Sequence, residues 1–399
     1  MTNKVKKPKD YLPETFLVHG GRAKDLTGQF VSPPVVRAST VLFDNVDQMM
    51  GREAARFSYG LTNTPTIEAL TTAINDLEDA SGTVLVPSGL AAVTVALLSA
   101  LKAGDQVLVP DNVYGPSRRF SNETLVDFGI DVTYYDPLAG AGIRSYFKDN
   151  IAGILVEPPG SHTFEMPDIK AILAAAKEVD AITLVDNTWA SPLFYKPIPN
   201  GFDYSIQAGT KYLAGHSDAL IGSISANEAH WPKLHRTHRN LGVQAGTEEI
   251  YLTLRGMRTM AVRMERQEKS ALEIAKWLQK QPEVARVLHP ALPEDPGHAI
   301  WKDTMGRSSG LFGLILNGVS HDGAAAMLNH LELFGLGYSW GGFESLAVLS
   351  QVDHIRSATK WQPEGPLIRL SIGLEHSDDL MADLRAGLDQ IERYQDQVA

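Results

Sequence analysis

The sequence predicts an α/β protein in which a mostly parallel sheet is covered by helices and followed by a smaller C-terminal α+β domain. Short apolar runs alternate with helical stretches between residues 64 and 224, as strands and helices do in a parallel sheet. This alternation ends near Arg255, where a long helical stretch and sparser strands begin. At 399 residues with 44% hydrophobic content, the chain is also long enough to form more than one domain.

The first helix is expected to begin at Pro65, because proline suits the first helical turn and apolar residues then recur at helical spacing as far as Leu77. Strands are expected at residues 83–86, 106–109, 151–156, 182–186, 204–207 and 220–224. The large domain should also contain helices at residues 90–101 and 169–177. In the C-terminal domain we expect a long helix at 257–279, a strand at 311–316, and helices at 324–331 and 378–395.

The first 60 residues contain many Pro, Gly, Ser and Thr residues and little periodicity. We interpret them as an extended arm that contacts a partner subunit. The predicted organisation is therefore an arm over residues 1–60, a large domain over 61–256 and a C-terminal domain over 257–399.

Composition excludes several classes of function. The net charge of -11 argues against non-specific binding of nucleic acid and against a polybasic membrane contact. The chain has no cysteine, which excludes disulfides, thiolate metal sites and a cysteine nucleophile. Residues 1–10 are Lys-rich and no apolar segment follows them, so they do not resemble a secretory signal. Since apolar runs are also too short for a membrane span, we expect a cytoplasmic protein, and no spacing of His, Asp or Glu predicts a metal site.

Ligands of parallel sheets bind beyond the carboxyl ends of the strands, and several polar residues of this sequence lie at such positions. Ser88, Gly89 and Leu90 join a strand to a helix, whose free N–H groups and positive dipole end suit a phosphate. The alternative is an ordinary tight turn.

Asp186 ends an apolar strand, where a carboxylate could hold a protonated pyridine nitrogen or simply cap a helix. Lys211 lies among small residues, where burial would lower its pKa and favour attack on an aldehyde. It could equally be a surface lysine. The hydroxyl of the adjacent Thr210 could contact a phosphate.

Tyr114 follows another strand end and could stack on a flat ring, although a lone tyrosine more often packs in a core. Arg369 interrupts an apolar run and could bind a carboxylate through its two-pronged guanidinium, or form a structural salt bridge. The consecutive residues His216, Ser217 and Asp218 cannot form a catalytic relay with one another.

Together these residues resemble one family. The stretch at residues 205–218, with Asp186 upstream and Arg369 downstream, is similar to the Cys/Met-metabolism enzymes that depend on pyridoxal 5′-phosphate (PLP), and the likeness extends over residues 18–380. It implies the fold of fold-type-I PLP enzymes, with a seven-stranded, mostly parallel sheet. It also implies that residues 61–256 form the PLP-binding domain and that Lys211 holds PLP as a Schiff base.

Within the family, three segments are most similar to the bacterial cystathionine β-lyase branch. They are residues 186–190 with Trp189, residues 157–161 with a Pro-Gly-Ser sequence, and residues 338–346 with Trp340. The resemblance implies a carbon–sulfur lyase that cleaves L-cystathionine to homocysteine, pyruvate and ammonia, and that accepts other cysteine S-conjugates. The alternatives are a γ-lyase, a γ-synthase or a methionine γ-lyase of the same family, or a PLP-binding protein without turnover.

The resemblance also implies a role for each site residue. Lys211 and Tyr114 would be catalytic, and Arg369, Ser339 and Trp340 would bind the substrate. The cofactor would be held by Lys211, Asp186, Tyr114, Ser88, Gly89, Leu90 and Thr210, with Tyr59 from a partner subunit.

Such sharing requires at least a dimer, and the family's usual assembly is a homotetramer built as a dimer of dimers. One feature departs from the family. Its arm often carries Tyr-x-Arg, both residues of which bind the partner's phosphate, whereas this sequence has Tyr59-Gly60-Leu61. Either Arg56 or another cation could replace the missing arginine, or PLP binds less tightly.

Overall fold

The computed structural model describes residues 11–352 and 355–398, so the first ten residues of the predicted arm lie outside the described part. Two sheets organise the fold. The strands of the first are β1 Gly82–Val86, β2 Gln106–Pro110, β3 Asp131–Tyr135, β4 Ile151–Val156, β5 Ile182–Asp186, β6 Tyr204–Gln207 and β7 Gly222–Ala226. The strands of the second are β8 Val284–Leu288, β9 Leu311–Leu316, β10 Gly335–Leu336, β11 Leu346–Ser350 and β12 Leu367–Ser371.

Helices surround both sheets. Those of the N-terminal half are α1 Pro13–His19, α2 Lys24–Thr27, α3 Val46–Met49, α4 Pro65–Glu78, α5 Gly89–Ala100, α6 Gly115–Phe120, α7 Ile169–Glu178 and α8 Ser191–Phe194. Those that follow are α9 Trp231–Leu241, α10 Thr247–Met257, α11 Met260–Leu278, α12 His298–Thr304, α13 His321–His330 and α14 Ser377–Val398. A π-helix, Ser121–Leu125, and a 3-10 helix, Gly140–Tyr146, complete the described set.

The first sheet has the strand order β1-β7-β6-β5-β4-β2-β3. Strands β3, β2, β4, β5 and β6 pair in parallel, and β7 runs antiparallel to both β6 and β1. The predicted seven-stranded, mostly parallel sheet is therefore confirmed. Because β2, β4, β5 and β6 share one direction, their carboxyl ends meet at one edge of the sheet.

Strands β1, β2, β6 and β7 are buried along their whole length, as expected of strands that are covered on both faces of the sheet. On β4, Ile154 and Val156 pack into one core cluster with α7, whereas Leu155 packs into another with α5. Leu85 of β1 belongs to a further cluster with α4, α10 and α11. Helices α4 and α5 begin where the sequence indicates, since the side chains of Thr64 and Ser88 accept hydrogen bonds from backbone N–H groups of the first turn.

The second sheet has the order β10-β11-β12-β9-β8, and α11, α13 and α14 cover it with a core of its own. Its central strand β12 is buried along its length, including Arg369. This mixed arrangement matches the predicted α+β character of the C-terminal region. The boundaries 61–256 and 257–399 remain a prediction.

The helix expected at 257–279 is confirmed as α11, which begins three residues later, at Met260, whereas the preceding helix α10 was not predicted. Between the two helices, the guanidinium of Arg258 donates to the carbonyls of Leu17 and Gly20. One expectation needs correction, because the N-terminal segment is not wholly extended. Its helices α1 and α2 bury Phe16 and Leu26 against the chain's own core.

Residues 30–61 fit the expectation of an arm more closely. Phe30, Leu42 and Val46 expose 81%, 89% and 63% of their surface. Within the described residues, no helix is long and apolar enough to cross a membrane.

Candidate active site

A cleft of about 1020 Å³ lies at the carboxyl edge of the first sheet and reaches the second sheet at Leu311 and Arg369. Most of the residues singled out from the sequence line this cleft: Ser88, Gly89, Leu90, Tyr114, Asp186, Thr210, Lys211, Trp340 and Arg369. Ser339 contacts two of them, Lys211 and Arg369, through hydrogen bonds. Tyr59 is not part of the lining.

Lys211 lies in the turn after β6, with its side chain mostly covered. Its Nζ donates a hydrogen bond of 2.6 Å to Ser339 Oγ and lies 5.5 Å from the centre of the Trp340 ring. Burial lowers the pKa of Lys211 and the nearby Arg369 charge adds to this, whereas Asp186 opposes both effects, so that the pKa is about 8. The amine therefore loses its proton more readily than an ordinary lysine, as a nucleophile or a base requires.

Asp186 is the last residue of β5. Its Oδ1 accepts hydrogen bonds from the backbone N–H and the hydroxyl of Thr188, at 3.1 and 2.5 Å. Burial raises the pKa of Asp186, and those hydrogen bonds and Lys211 oppose the rise. Within the described residues this carboxylate has no ion pair, so a cation delivered by a ligand would complete its surroundings.

The junction of Ser88, Gly89 and Leu90 is the N-terminus of α5. Ser88 Oγ caps the helix by accepting from the N–H of Ala91 at 3.0 Å. A Cβ on Gly89 would lie 2.5 Å from the Cβ of Ala208, and one on Gly222 would lie 2.3 Å from the carbonyl oxygen of Ser88. Only glycine therefore allows the start of α5 to approach Ala208 and β7 so closely. The first turn of α5 lines the cleft, where its free N–H groups suit an anion.

Thr210 lies beside this helix terminus, but its hydroxyl bonds to the backbone of Ile221, donating to the carbonyl at 3.2 Å and accepting from the N–H at 3.0 Å. The basic residues in the cleft lining are Lys211 and Arg369. The helix terminus thus offers neutral donors to an anion.

Arg369 reaches the cleft from β12 of the second sheet. One Nη donates to the carbonyl of Ser339 at 3.0 Å, and Nε is buried without a hydrogen-bond partner. Burial lowers the pKa of Arg369 to about 10, yet the side chain forms no ion pair within the described residues. A buried guanidinium with an unused donor is suited to a carboxylate ligand.

Tyr114 stands at the start of α6, and its N–H donates to Glu157 Oε2 at 2.9 Å. Burial raises the pKa of the Tyr114 hydroxyl, and Asp186 and Glu157 add to the rise. Its ring is 43% exposed, so it is available to a ligand rather than packed in the core.

Two titratable residues of the cleft, Glu157 and His162, were assigned no role from the sequence. Glu157 follows β4 and is buried, and it accepts hydrogen bonds from Ser161 and Tyr114. Burial beside Asp186 raises the pKa of Glu157. His162 contacts Ser350 Oγ at 2.8 Å, and burial lowers its pKa to about 4. Glu157 could have been found as a carboxylate at a strand end, whereas His162 had no sequence signal.

The three segments that carried the branch resemblance meet in this cleft. Trp189, Pro159 to Ser161 and Trp340 all line it. Trp189 is fixed by a hydrogen bond of 2.9 Å from its ring N–H to the carbonyl of Leu311. Segments separated by about 150 residues in the sequence therefore shape one surface.

The model of the Cys/Met metabolism PLP-dependent enzyme family matches residues 14–389. The chain belongs to this family. Its cofactor is pyridoxal 5′-phosphate. The predicted family, fold and cofactor are thereby confirmed.

The named relatives include several cystathionine β-lyases and also an L-alanine/L-glutamate racemase of Wolbachia pipientis, which is 38% identical over 391 residues, covering 94% of this chain and 96% of that protein. A putative cystathionine β-lyase of Rhizobium johnstonii is 49% identical over 362 residues, covering 90% of this chain and 91% of that protein. Cystathionine β-lyase MetC of Escherichia coli is 41% identical over 389 residues, covering 95% of this chain and 98% of that protein. The crystal structure of metB from Corynebacterium glutamicum superposes with a TM-score of 0.90 at 28% identity, covering 97% of this chain and all of that one.

The cleft fits the cofactor. The neutral helix terminus at Gly89 suits a phosphate, the unpaired Asp186 suits a protonated pyridine nitrogen, and the amine of Lys211 suits the aldehyde. Arg369, with its unused Nε, remains for a substrate carboxylate.

Proposed function

We propose that this protein is a PLP-dependent carbon–sulfur β-lyase that cleaves L-cystathionine to homocysteine, pyruvate and ammonia and also acts on other cysteine S-conjugates. The observation that carries the proposal is the link of Lys211 and Arg369 through Ser339. Ser339 Oγ accepts from Lys211 Nζ at 2.6 Å, and its carbonyl accepts from Arg369 at 3.0 Å. An amino acid whose carboxylate binds Arg369 would thus have its α-carbon close to the amine.

Each cleft residue has one task in this proposal. Bound PLP supplies an electron sink for the charge that develops at the substrate α-carbon. Asp186 holds a proton on the pyridine nitrogen and so strengthens that sink. Arg369 binds the α-carboxylate with help from Ser339, Tyr114 stacks on the cofactor ring, and Trp340 covers the substrate.

Lys211 transfers the proton in this reaction. Its free amine removes the α-proton, and the bond between the β-carbon and sulfur then breaks with the electron pair on sulfur. The lysine returns its proton to the departing thiolate, and water converts the remaining three-carbon fragment to pyruvate and ammonia. Binding of the substrate carboxylate at Arg369 offsets the charge that lowers the pKa of Lys211, so the lysine becomes a stronger base when the substrate is present.

The β-lyase reaction is favoured over the γ-lyase, γ-synthase and methionine γ-lyase reactions by the wall of the cleft. Trp189, Ser161 and Trp340, which set this branch apart in the sequence, line the same cleft as Lys211 and Arg369. The γ-reactions share the remaining cofactor machinery and form the second candidate.

We also propose that the protein is a cytoplasmic homotetramer built from dimers that share active sites. Tyr59 is 50% exposed and outside its own cleft, which supports its entry into a partner's cleft. The exposed apolar residues of the arm, such as Leu42, support burial against a second copy.

The test is to incubate the PLP-loaded protein with L-cystathionine and identify the keto acid. Pyruvate with homocysteine is expected. If 2-oxobutyrate with cysteine forms instead, the protein is a γ-lyase and the role given to Trp189 and Trp340 is wrong. The Lys211→Ala protein serves as the blank, because any keto acid that it releases does not come from this site.

A further inference from the structure

Among the described residues, the phosphate end of the cleft is lined by no cation other than Lys211 and Arg369, which the proposed function assigns to the aldehyde and the substrate. The lining otherwise offers N–H groups of α5 and the hydroxyl of Ser88. A phosphate with two negative charges binds more tightly when a cation contributes charge-assisted hydrogen bonds. The proposed dimer offers a partner subunit as the source of this charge.

Arg56, the alternative considered from the sequence, is already engaged. Its guanidinium binds Glu68 through two hydrogen bonds of 3.1 and 2.7 Å and also contacts Asp25 at 2.8 Å. Releasing it would leave two carboxylates without their partner. Leu61, at the position of the family's arginine, is apolar and 41% exposed.

Leu61 lines a second cavity, of about 760 Å³, whose other wall is α9. Arg239 and His235, one turn apart on α9, line the same cavity. Arg239 is exposed, and within the described residues its side chain forms no ion pair or hydrogen bond. It is thus an unused cation beside the segment that carries Tyr59.

The two walls of this cavity are held firmly. The ring of His238 bonds to the carbonyl of Leu85 on β1 at 2.8 Å, which ties α9 to the sheet. The Tyr59 turn is tied to residues 39 and 40 by the bond from Gly60 N–H to Ser39 and by a bridge between Thr40 and Tyr59. Arg239 and the Tyr59 turn are therefore each held by backbone contacts, on α9 and in the arm, on either side of the cavity.

We propose that Arg239 replaces the missing arginine and binds the PLP phosphate of the partner subunit, beside Tyr59. This inference rests on the proposed dimer but not on which sulfur amino acid is cleaved. It explains how the chain keeps a phosphate cation although position 61 is leucine. In this proposal the cation is Arg239 on α9, a helix that borders the arm, and not a residue of the arm itself.

The test is PLP affinity, measured by titrating apoprotein and following the visible absorbance of the bound cofactor. Arg239→Gln should weaken PLP binding about tenfold to a hundredfold, as expected for one lost charge-assisted hydrogen bond. Arg236→Gln is the matched control, because Arg236 is exposed on the same helix and does not line the cavity. Equal affinities of Arg239→Gln and wild type would overturn the proposal, as would equal losses in both variants.

Pyridoxal, which lacks the phosphate, identifies the contacted group. The difference in affinity between wild type and Arg239→Gln should vanish with pyridoxal. If the variant binds PLP normally but has a raised KM for cystathionine, Arg239 contacts the substrate and the proposal is wrong. Adding Leu61→Arg to Arg239→Gln should restore PLP affinity, and a failure to do so would place the required charge elsewhere.

Mixed dimers test whether the contact crosses the subunit boundary. When Arg239→Gln chains assemble with Lys211→Ala chains, the intact Lys211 faces the partner's intact Arg239. The PLP concentration that half-saturates this lysine, measured by trapping the bound cofactor with borohydride, should therefore equal the wild-type value. Persistently weak binding in confirmed mixed dimers would contradict the proposal, whereas a monomeric protein would instead refute the proposed assembly.

Discussion

The two cavities of this molecule differ in how complete they are. The cleft at Lys211 contains an amine and a guanidinium that share Ser339 as a hydrogen-bond partner, together with the carboxylate of Asp186, all from one chain. Among the described residues, the cavity between Leu61 and α9 contains an Arg239 without an ion pair and a buried amide nitrogen of Gln244 without a hydrogen-bond partner, and the partly exposed Leu61 lines it. The first cavity has the groups that a reaction requires, whereas the second has unused donors suited to contact with another molecule.

This difference separates two requirements. On the proposed function, the groups that transfer protons and bind the substrate are positioned by the fold of a single chain. On the proposed role of Arg239, the charge that neutralises the cofactor phosphate comes from a partner subunit and so depends on assembly. Variants in the first cavity should therefore affect turnover at any protein concentration, whereas variants in the second should affect cofactor loading.

The largest effect is expected for Lys211→Ala, which removes the base and the covalent anchor. Turnover of cystathionine should fall at least about ten-thousandfold. Lys148→Ala is the control, because that lysine is exposed and pairs only with Asp131. Turnover within tenfold of wild type in Lys211→Ala would show that the first cavity is not the catalytic one.

An intermediate effect is expected for Arg369→Lys. Lysine keeps the charge but loses the planar pair of donors, so kcat/KM should fall about tenfold to a hundredfold, mostly through a higher KM. Arg286→Lys, at an exposed arginine paired with Glu364, should change neither constant. A lower kcat with unchanged KM would mean that Arg369 acts on the basicity of Lys211 rather than on the carboxylate.

The effect on turnover is expected to be smallest for Glu78, which lines neither cavity and acts on stability instead. Glu78 ends α4 and accepts from Ser205 of β6 at 2.8 Å, while its other oxygen is buried without a partner. Burial raises the pKa of Glu78 to about 8 from an ordinary 4.5. Between these values only the unfolded chain releases the proton, so this residue lowers the free energy of unfolding as pH rises, by up to about 1.4 kcal/mol per pH unit.

Glu78→Gln removes this titration while keeping the shape of the side chain. The variant should gain stability relative to wild type as pH rises from 5 to 8, measured by thermal or urea unfolding. Glu123→Gln, at an exposed position, should follow the wild-type pH dependence. Parallel pH curves for Glu78→Gln and wild type would show that Glu78 is already ionised in the folded protein.

The sequence predicted those parts of the fold that local patterns determine. The strands at 151–156 and 311–316 begin and end where expected, because each is a short apolar run bounded by polar residues or glycine. The helix expected at 257–279 was likewise found, as α11. The burial of α1 was missed, since it depends on contacts with residues far away in the sequence, such as those of Arg258 with Leu17 and Gly20.

The site was predicted as a set of residues but not as an arrangement. The likeness around Lys211 identified the lysine, Asp186 and Arg369, yet no local pattern shows that Ser339 joins the lysine to the arginine. The contact of Glu157 with the backbone N–H of Tyr114 was also not predicted, because no local pattern shows which N–H group donates to this carboxylate. The engagement of Arg56 by Glu68 and Asp25 likewise became visible only in three dimensions.

The close approach of α5 to the sheet edge affects how a mutational scan of this chain should be interpreted. At Gly89 and Gly222 any side chain would collide with Ala208 or with the backbone of Ser88. Both positions should therefore tolerate substitution as poorly as Lys211 does, although neither glycine transfers a proton. Intolerance to substitution alone will not separate the residues that perform the reaction from those that leave room for it.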